Sequence, residues 1–189
     1  MWRFRSNLRS AAIFWDLSSC PAPRNTNKIA ITHSIRNQIQ SHHDNKISIK
    51  TYNCYIEDEI SEKLYYNALI KSGCTPIRSR YHKDRKECAD NRIMCDALLF
   101  AMDHPNAALW IVTSDADFAY VLAKLKNRGF FTGVIYSEIP ESNRLPEMCR
   151  QADCAVEWKN VIQDSFKRTL PANPLTMELN HVGPENADI

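Results

Sequence analysis

Asp90-Asn-Arg-Ile-Met-Cys-Asp-Ala-Leu-Leu-Phe-Ala-Met-Asp103, followed after a His-Pro-Asn-Ala turn by Ala108-Leu-Trp-Ile-Val-Thr113, is the stretch that decides the fold. In its first part Ile93, Met94, Ala97, Leu98, Ala101 and Met102 recur at helical spacing, which predicts an amphipathic helix with that side against a core. Its second part is an unbroken apolar run, as expected of a strand covered on both faces in a parallel sheet. The same alternation extends outward in both directions. Ala11–Leu17 reads as a buried strand, 26–42 as a helix and 46–56 as a strand. A helix over 61–72 stops at Gly73, and a short strand follows over 75–80. Beyond the central stretch, 118–128 reads as a helix stopped by Gly129 and 131–136 as a strand. A helix over 141–152 carries Pro146, and 154–158 reads as a last strand. Strands alternating with helices predict a single three-layer α/β domain with a mostly parallel sheet over 10–162. A basic segment over 1–9 precedes it. A tail over 163–189, rich in Pro and Asn, is expected to be disordered.

Composition excludes several function classes. Of 189 residues 44% are hydrophobic and 24% charged, which is globular and not disordered. The longest apolar runs, 97–102 and 107–112, fall far short of the roughly 20 residues of a membrane span, so no membrane insertion is expected. The 4 glycines, at 73, 129, 133 and 183, cannot assemble a GxGxxG or a GxxxxGK[ST], which removes glycine-rich nucleotide cradles. The 7 cysteines lack a CxxC pair and read as reduced thiols in an intracellular, cytoplasmic setting. A net charge of +2 is small, but Arg78-Ser-Arg-Tyr-His-Lys-Asp-Arg-Lys86 concentrates positive charge. From residue 170 on there is acid and no Lys or Arg.

Parallel sheets collect ligands outside the carboxyl ends of their strands. Asp16 closes the first strand there, and Asp115 and Asp117 follow Ile111-Val-Thr-Ser114. Asp90 stands at the N-cap of the central helix. Asp16 has no local backbone task at the end of an apolar strand, whereas Asp90 and Asp117 could simply cap helices. A rim of carboxylates needs a cation, and hard oxygen donors without His or Cys favour Mg²⁺ or Mn²⁺. Asp16-Leu-Ser-Ser-Cys20 also approximates the DxSxS of a metal-dependent adhesion site, with Cys20 in the last Ser position.

Three blocks in order carry a family resemblance. They are Phe14-Trp-Asp-Leu-Ser-Ser-Cys-Pro21, Ala89-Asp-Asn-Arg-Ile-Met-Cys-Asp-Ala-Leu-Leu-Phe-Ala101 with Asp103-His-Pro105, and Ile111-Val-Thr-Ser-Asp-Ala-Asp-Phe118. Over residues 10–160 the chain resembles the NYN domain of the PIN-like nuclease superfamily, with the limkain-b branch (meiosis regulator and mRNA stability factor) the most similar. The resemblance implies a metal-dependent ribonuclease. Asp16, Asp90, Asp115 and Asp117 would be its catalytic and metal-binding acids, with Ser19, Ser114 and Asp96 in support. The implied partner is single-stranded or loop RNA, guided by Arg78, Arg80, Lys83, Arg85 and Lys86. A homodimer, or a protein partner reached through the tail, is open. The branch's association with peroxisomes comes by resemblance alone. Two departures bear on activity. Ser19 replaces an Asn of the pattern. The second strand reads Thr51-Tyr-Asn-Cys54 where the pattern ends in an acid, with Glu57, Asp58 and Glu59 the nearest substitutes. The alternative is an RNA-binding adaptor with a weakened metal site, favoured if position 54 lies in an apolar gap.

Overall fold

In the computed structural model, which describes residues 8–57, 59–79, 88–137 and 145–169, six strands form one sheet. They are β1 (Arg9–Asp16), β2 (Ile47–Ile56), β3 (Thr75–Arg78), β4 (Ala108–Val112), β5 (Phe131–Tyr136) and β6 (Cys154–Glu157). Their order is β3-β2-β1-β4-β5-β6 and every pairing is parallel, so the sheet is wholly rather than mostly parallel. Six α-helices connect and cover it: α1 (Lys28–Ser41), α2 (Glu59–Lys71), α3 (Cys88–Asp103), α4 (Ala119–Lys126), α5 (Leu145–Gln151) and α6 (Trp158–Thr169). A 3₁₀ turn, Ala116–Phe118, leads into α4.

The period-two alternation of β1 divides the core. Ala11, Ile13 and Trp15 join Ile31, Ile35 and Ile39 of α1, Tyr65 and Leu69 of α2 and Trp158 and Val161 of α6 on one face. Ala12 and Phe14 join Ile93 and Ala97 of α3, Leu122 and Leu125 of α4 and Met148 of α5 on the other. The chain winds outward from β1 through β2 to β3, then returns to β4 and winds the opposite way. The direction therefore reverses between β1 and β4, the place where sheets of this kind form a crevice at the carboxyl ends of their strands.

Three expectations need correction. First, α3 begins at Cys88, two residues before Asp90, so Asp90 lies in its first turn and is not its N-cap. Second, only part of the expected face of α3 is buried. Phe100 is inside, whereas Leu98 is 46% exposed and Met102 77%. Ala89, Ile93, Ala97, Phe100 and Ala101 form a narrower inward stripe, because α4 covers one flank of α3 only in part. Third, the ordered chain does not end near 162. Trp158, Val161 and Ser165 form the inward face of α6, which continues to Thr169. Residues 170–189 lie outside the described part.

Candidate functional site

The crevice is built from the loop after β1 and the segment after β4. Trp15 anchors the loop from below: its ring meets Tyr65 and Trp158, and its Nε1–H donates to the Cys20 carbonyl at 3.0 Å. The backbone then turns so that Ser18 and Ser19 fold back onto Asp16, which is only 2% exposed. Asp16 Oδ1 accepts from the Ser18 N–H at 3.0 Å and from Ser18 Oγ at 2.6 Å. Asp16 Oδ2 accepts from Ser19 Oγ at 2.5 Å and from Thr113 Oγ1 at 3.1 Å. Four donors on one buried carboxylate satisfy its two oxygens and fix its plane.

Thr113 Oγ1 also accepts from the Asp115 N–H at 3.1 Å, so a single hydroxyl links Asp16 to the backbone of Asp115. Ser19 Oγ accepts from the Ser114 N–H at 3.1 Å and lies 3.1 Å from Thr113 Oγ1. Ser114 itself is buried, with Oγ accepting from the Ser137 N–H at 2.8 Å and 3.4 Å from Cys20 Sγ. Its side chain thus ties β4 to the end of β5 and does not face the crevice opening. Asp115, half-exposed, accepts the Asp117 N–H at 2.9 Å on Oδ1 and so caps the 3₁₀ turn. Capping is therefore the task of Asp115, and Asp117, which by sequence could equally cap a helix, is exposed in the first turn.

The remaining candidates separate. Asp90 is half-buried in the first turn of α3 and engaged in an interaction of its own. Asp96, two turns on, accepts the Tyr55 hydroxyl at 2.6 Å; burial, and then that hydrogen bond, push the Tyr55 hydroxyl's pKa up. Tyr55 is the register partner of Asp16, so Asp96 is tied to the strand beside the crevice. Cys54 pairs instead with Trp15 and is fully buried on the opposite face, in the core with α1 and α2. Of the nearby acids Glu57 is half-buried, while Asp58 and the Glu59 side chain lie outside the described residues. Arg78 is held by Glu62 at 2.5 Å and stands over the Tyr66 ring at 5.6 Å. Arg80, Lys83, Arg85 and Lys86 lie outside the described residues. A cysteine nucleophile finds no support at the crevice: burial pushes the Cys20 thiol up to about 11.

The side chains of Asp16, Asp115, Ser18, Ser19 and Thr113 offer only oxygen as a metal ligand, the hard type that suits Mg²⁺ or Mn²⁺. Among the described residues no three of His, Cys, Asp and Glu form a ready metal group. A cation of the Mg²⁺ type uses one or two carboxylates and completes its shell with water and substrate phosphate. Among the described residues no helix is long and apolar enough to cross a membrane.

Serine 18 and Thr113 as Asp16 donors, and Tyr55 as the holder of Asp96, were not singled out by sequence. Thr113 meets Asp16 from 97 positions away, which no local pattern reveals.

No curated protein matches the chain. Among solved structures it is similar to VPA0982, a protein of unknown function from Vibrio parahaemolyticus RIMD 2210633. The TM-score is 0.58 at 17% identity, covering 83% of this chain and 96% of the other, a likeness of fold alone. The matches do not extend to the narrower limkain-b branch. The NYN domain profile matches residues 10–159, which takes in all six strands but for Arg9, the crevice and all three blocks of acids. The chain therefore belongs to the NYN domain family, a nuclease-type family of PIN-like fold.

Proposed function

We propose that this chain is a metal-dependent endoribonuclease that hydrolyses phosphodiester bonds in single-stranded or loop RNA, in RNA turnover or post-transcriptional regulation. The observation that carries the proposal is the pairing of Asp16 with Asp115 through Thr113 at the reversal between β1 and β4. Asp16 and Asp115 would hold Mg²⁺ or Mn²⁺, with Asp90 and Asp117 completing the acidic rim. The chemistry a bound cation supplies is acidification of a water and neutralisation of charge on the phosphodiester. Ser18, Ser19 and Thr113 hold the Asp16 carboxylate in one plane, so it does not reorganise as charge develops. Asp115, half-exposed, presents its carboxylate to solvent and substrate. Of the basic stretch, Arg80, Lys83, Arg85 and Lys86 would steer the RNA backbone towards the rim, with Arg78 less available because Glu62 holds it.

A second reading, an RNA-binding adaptor with a weakened metal site, is favoured by one observation. Cys54 faces the core on the side away from Asp16, so that position brings no carboxylate to the rim.

Cleavage of an end-labelled unstructured RNA separates the two, run with Mn²⁺, with Mg²⁺ and with EDTA beside Asp115→Asn and Asp90→Asn. Cleavage that requires metal and disappears in both folded variants is expected. Binding without cleavage in either metal would establish the adaptor instead, and neither binding nor cleavage would leave only the fold.

A further inference from the structure

A pocket of about 320 Å³ opens where α5 meets the 3₁₀ turn and α4, beside Asp115. Ala116, Ala119 and Ala123 line it with side chains too short to fill it. Tyr120 adds an aromatic wall and is 71% exposed. Lys124 Nζ stands over one face of that ring at 5.1 Å. Glu147 and Gln151, four residues apart on α5, bring a carboxylate and an amide to the pocket from one side of their helix. Asp117 also lines it and is engaged in an interaction of its own. Because the Asp117 N–H is held by Asp115 Oδ1, the pocket borders the acidic rim directly.

The charged residues among its described lining, Asp117 and Glu147, are both acids, so the pocket repels phosphate and favours a neutral group rich in donors. Its size is at the lower end for small-ligand sites, and an aromatic wall suits a flat ring. An unpaired nucleobase meets all three conditions, and single-stranded RNA is read by stacking such a base and bonding its Watson–Crick edge. A carboxylate offers two acceptor oxygens and no donor. Guanine alone among the four bases sets two donors side by side on that edge, N1–H and N2–H, with the acceptor O6 next to them. We propose that this pocket is a guanine subsite, with Glu147 accepting from N1–H and N2–H, Gln151 donating to O6 and the base stacked on the Tyr120 face away from Lys124. The proposal rests on the reading of the adjoining rim as an RNA-cleaving site, since the base would belong to a nucleotide beside the phosphate at Asp115.

End-labelled oligouridines with one central guanine, inosine, adenine or cytosine test it on the full chain, by binding in EDTA and by cleavage in Mn²⁺. The guanine RNA should bind at least about tenfold more tightly than the other three, the discrimination of one bidentate contact, and be cut next to the guanine. Inosine keeps N1–H and O6 and lacks only the N2 amino group, so it should lose most of that preference. Glu147→Ala should remove the difference between guanine and inosine while leaving cleavage of all-uridine RNA unchanged. Tyr120→Ala should weaken binding of all four RNAs alike, because stacking tolerates any base. Glu147 and Tyr120 are exposed, so melting temperatures equal to the parent's will show that neither loss is misfolding. Guanine-selective binding without cleavage would uphold the subsite and overturn the nuclease reading. Cleavage with no preference for guanine, or a preference that Glu147→Ala leaves intact, would overturn the subsite and leave the nuclease standing. Neither binding nor cleavage would overturn both.

Discussion

Ser19 does more at the rim than its sequence position suggests. Its hydroxyl donates to Asp16 Oδ2 and accepts from the Ser114 N–H, so one atom joins the loop after β1 to the end of β4. Ser19→Ala removes both contacts and strands a partly buried N–H, a loss of about 1–3 kcal/mol. For a protein of this size that is a fall of about 2–4 °C in melting temperature per kcal/mol. A melt unchanged within a degree would show that water replaces the hydroxyl at no cost. Position 54 allows a test of the family departure. Cys54 is fully buried against the α1 and α2 core, and burial already pushes its thiol's pKa up. Restoring an acid with Cys54→Asp would bury a carboxylate with no cation beside it, so we expect loss of folding by several kcal/mol and no gain of metal affinity. Asp16 was legible in the sequence because a carboxylate at the end of an apolar strand has no local task. The four donors that hold it were not, since Ser18 and Ser19 read as turn residues and Thr113 as the end of a strand.

Elements were legible where their apolar pattern was also their buried pattern. The three β-α repeats on each side of the reversal follow from runs and periodicities, and Gly73 and Gly129 stop their helices with φ of 75° and 85°. Two elements were misjudged for a physical reason. In α3, spacing alone cannot say how wide a stripe the neighbouring helix covers. In α6, Trp158, Val161 and Ile162 have helical spacing, but Asn, Gln, Asp and Ser among them lower the mean hydropathy to that of a tail. Pairing across strands adds constraints that no single stretch shows. A Cβ on Gly133 would stand 2.3 Å from the Trp110 ring, which lies over it from the neighbouring strand. Gly133→Ala should therefore cost about 1–3 kcal/mol through overpacking, read as a lower urea midpoint. The Trp110 Nε1–H in turn donates to His43 Nε2 at 3.1 Å, which requires a neutral imidazole. Burial first, then Arg9 and His42, push the His43 pKa below its ordinary value of about 6.5. A group whose pKa is lower folded than unfolded stabilises the fold above its unfolded value, and that stability is lost as pH falls towards the folded one. Melting temperature should therefore decline below pH 6.5, and His43→Gln should flatten part of that decline. An identical pH slope in the variant would remove His43 from the account.

At the scale of the molecule, the winding reversal is what turns distant acids into neighbours, and a cation held there should stabilise the whole fold. A ligand that binds only the folded chain adds RT ln(1 + [L]/Kd), about 2.7 kcal/mol at a hundred times Kd. Adding Mn²⁺ or Mg²⁺ to protein freed of metal by EDTA should therefore raise the melting temperature by several degrees. Ca²⁺ is the comparison of size, because its larger shell is less suited to one or two carboxylates with water. The informative variant is Asp115→Asn and not Asp16→Asn. An amide at position 16 would point its own N–H groups at Ser and Thr donors and unsettle the loop. At position 115 the side-chain oxygen of Asn still accepts the Asp117 N–H, so the cap survives while the charge is lost. The variant should melt like the parent in EDTA yet lose most of the metal-dependent rise. If parent and variant gain equally, the cation binds elsewhere, and the rim of Asp16 and Asp115 is not its site.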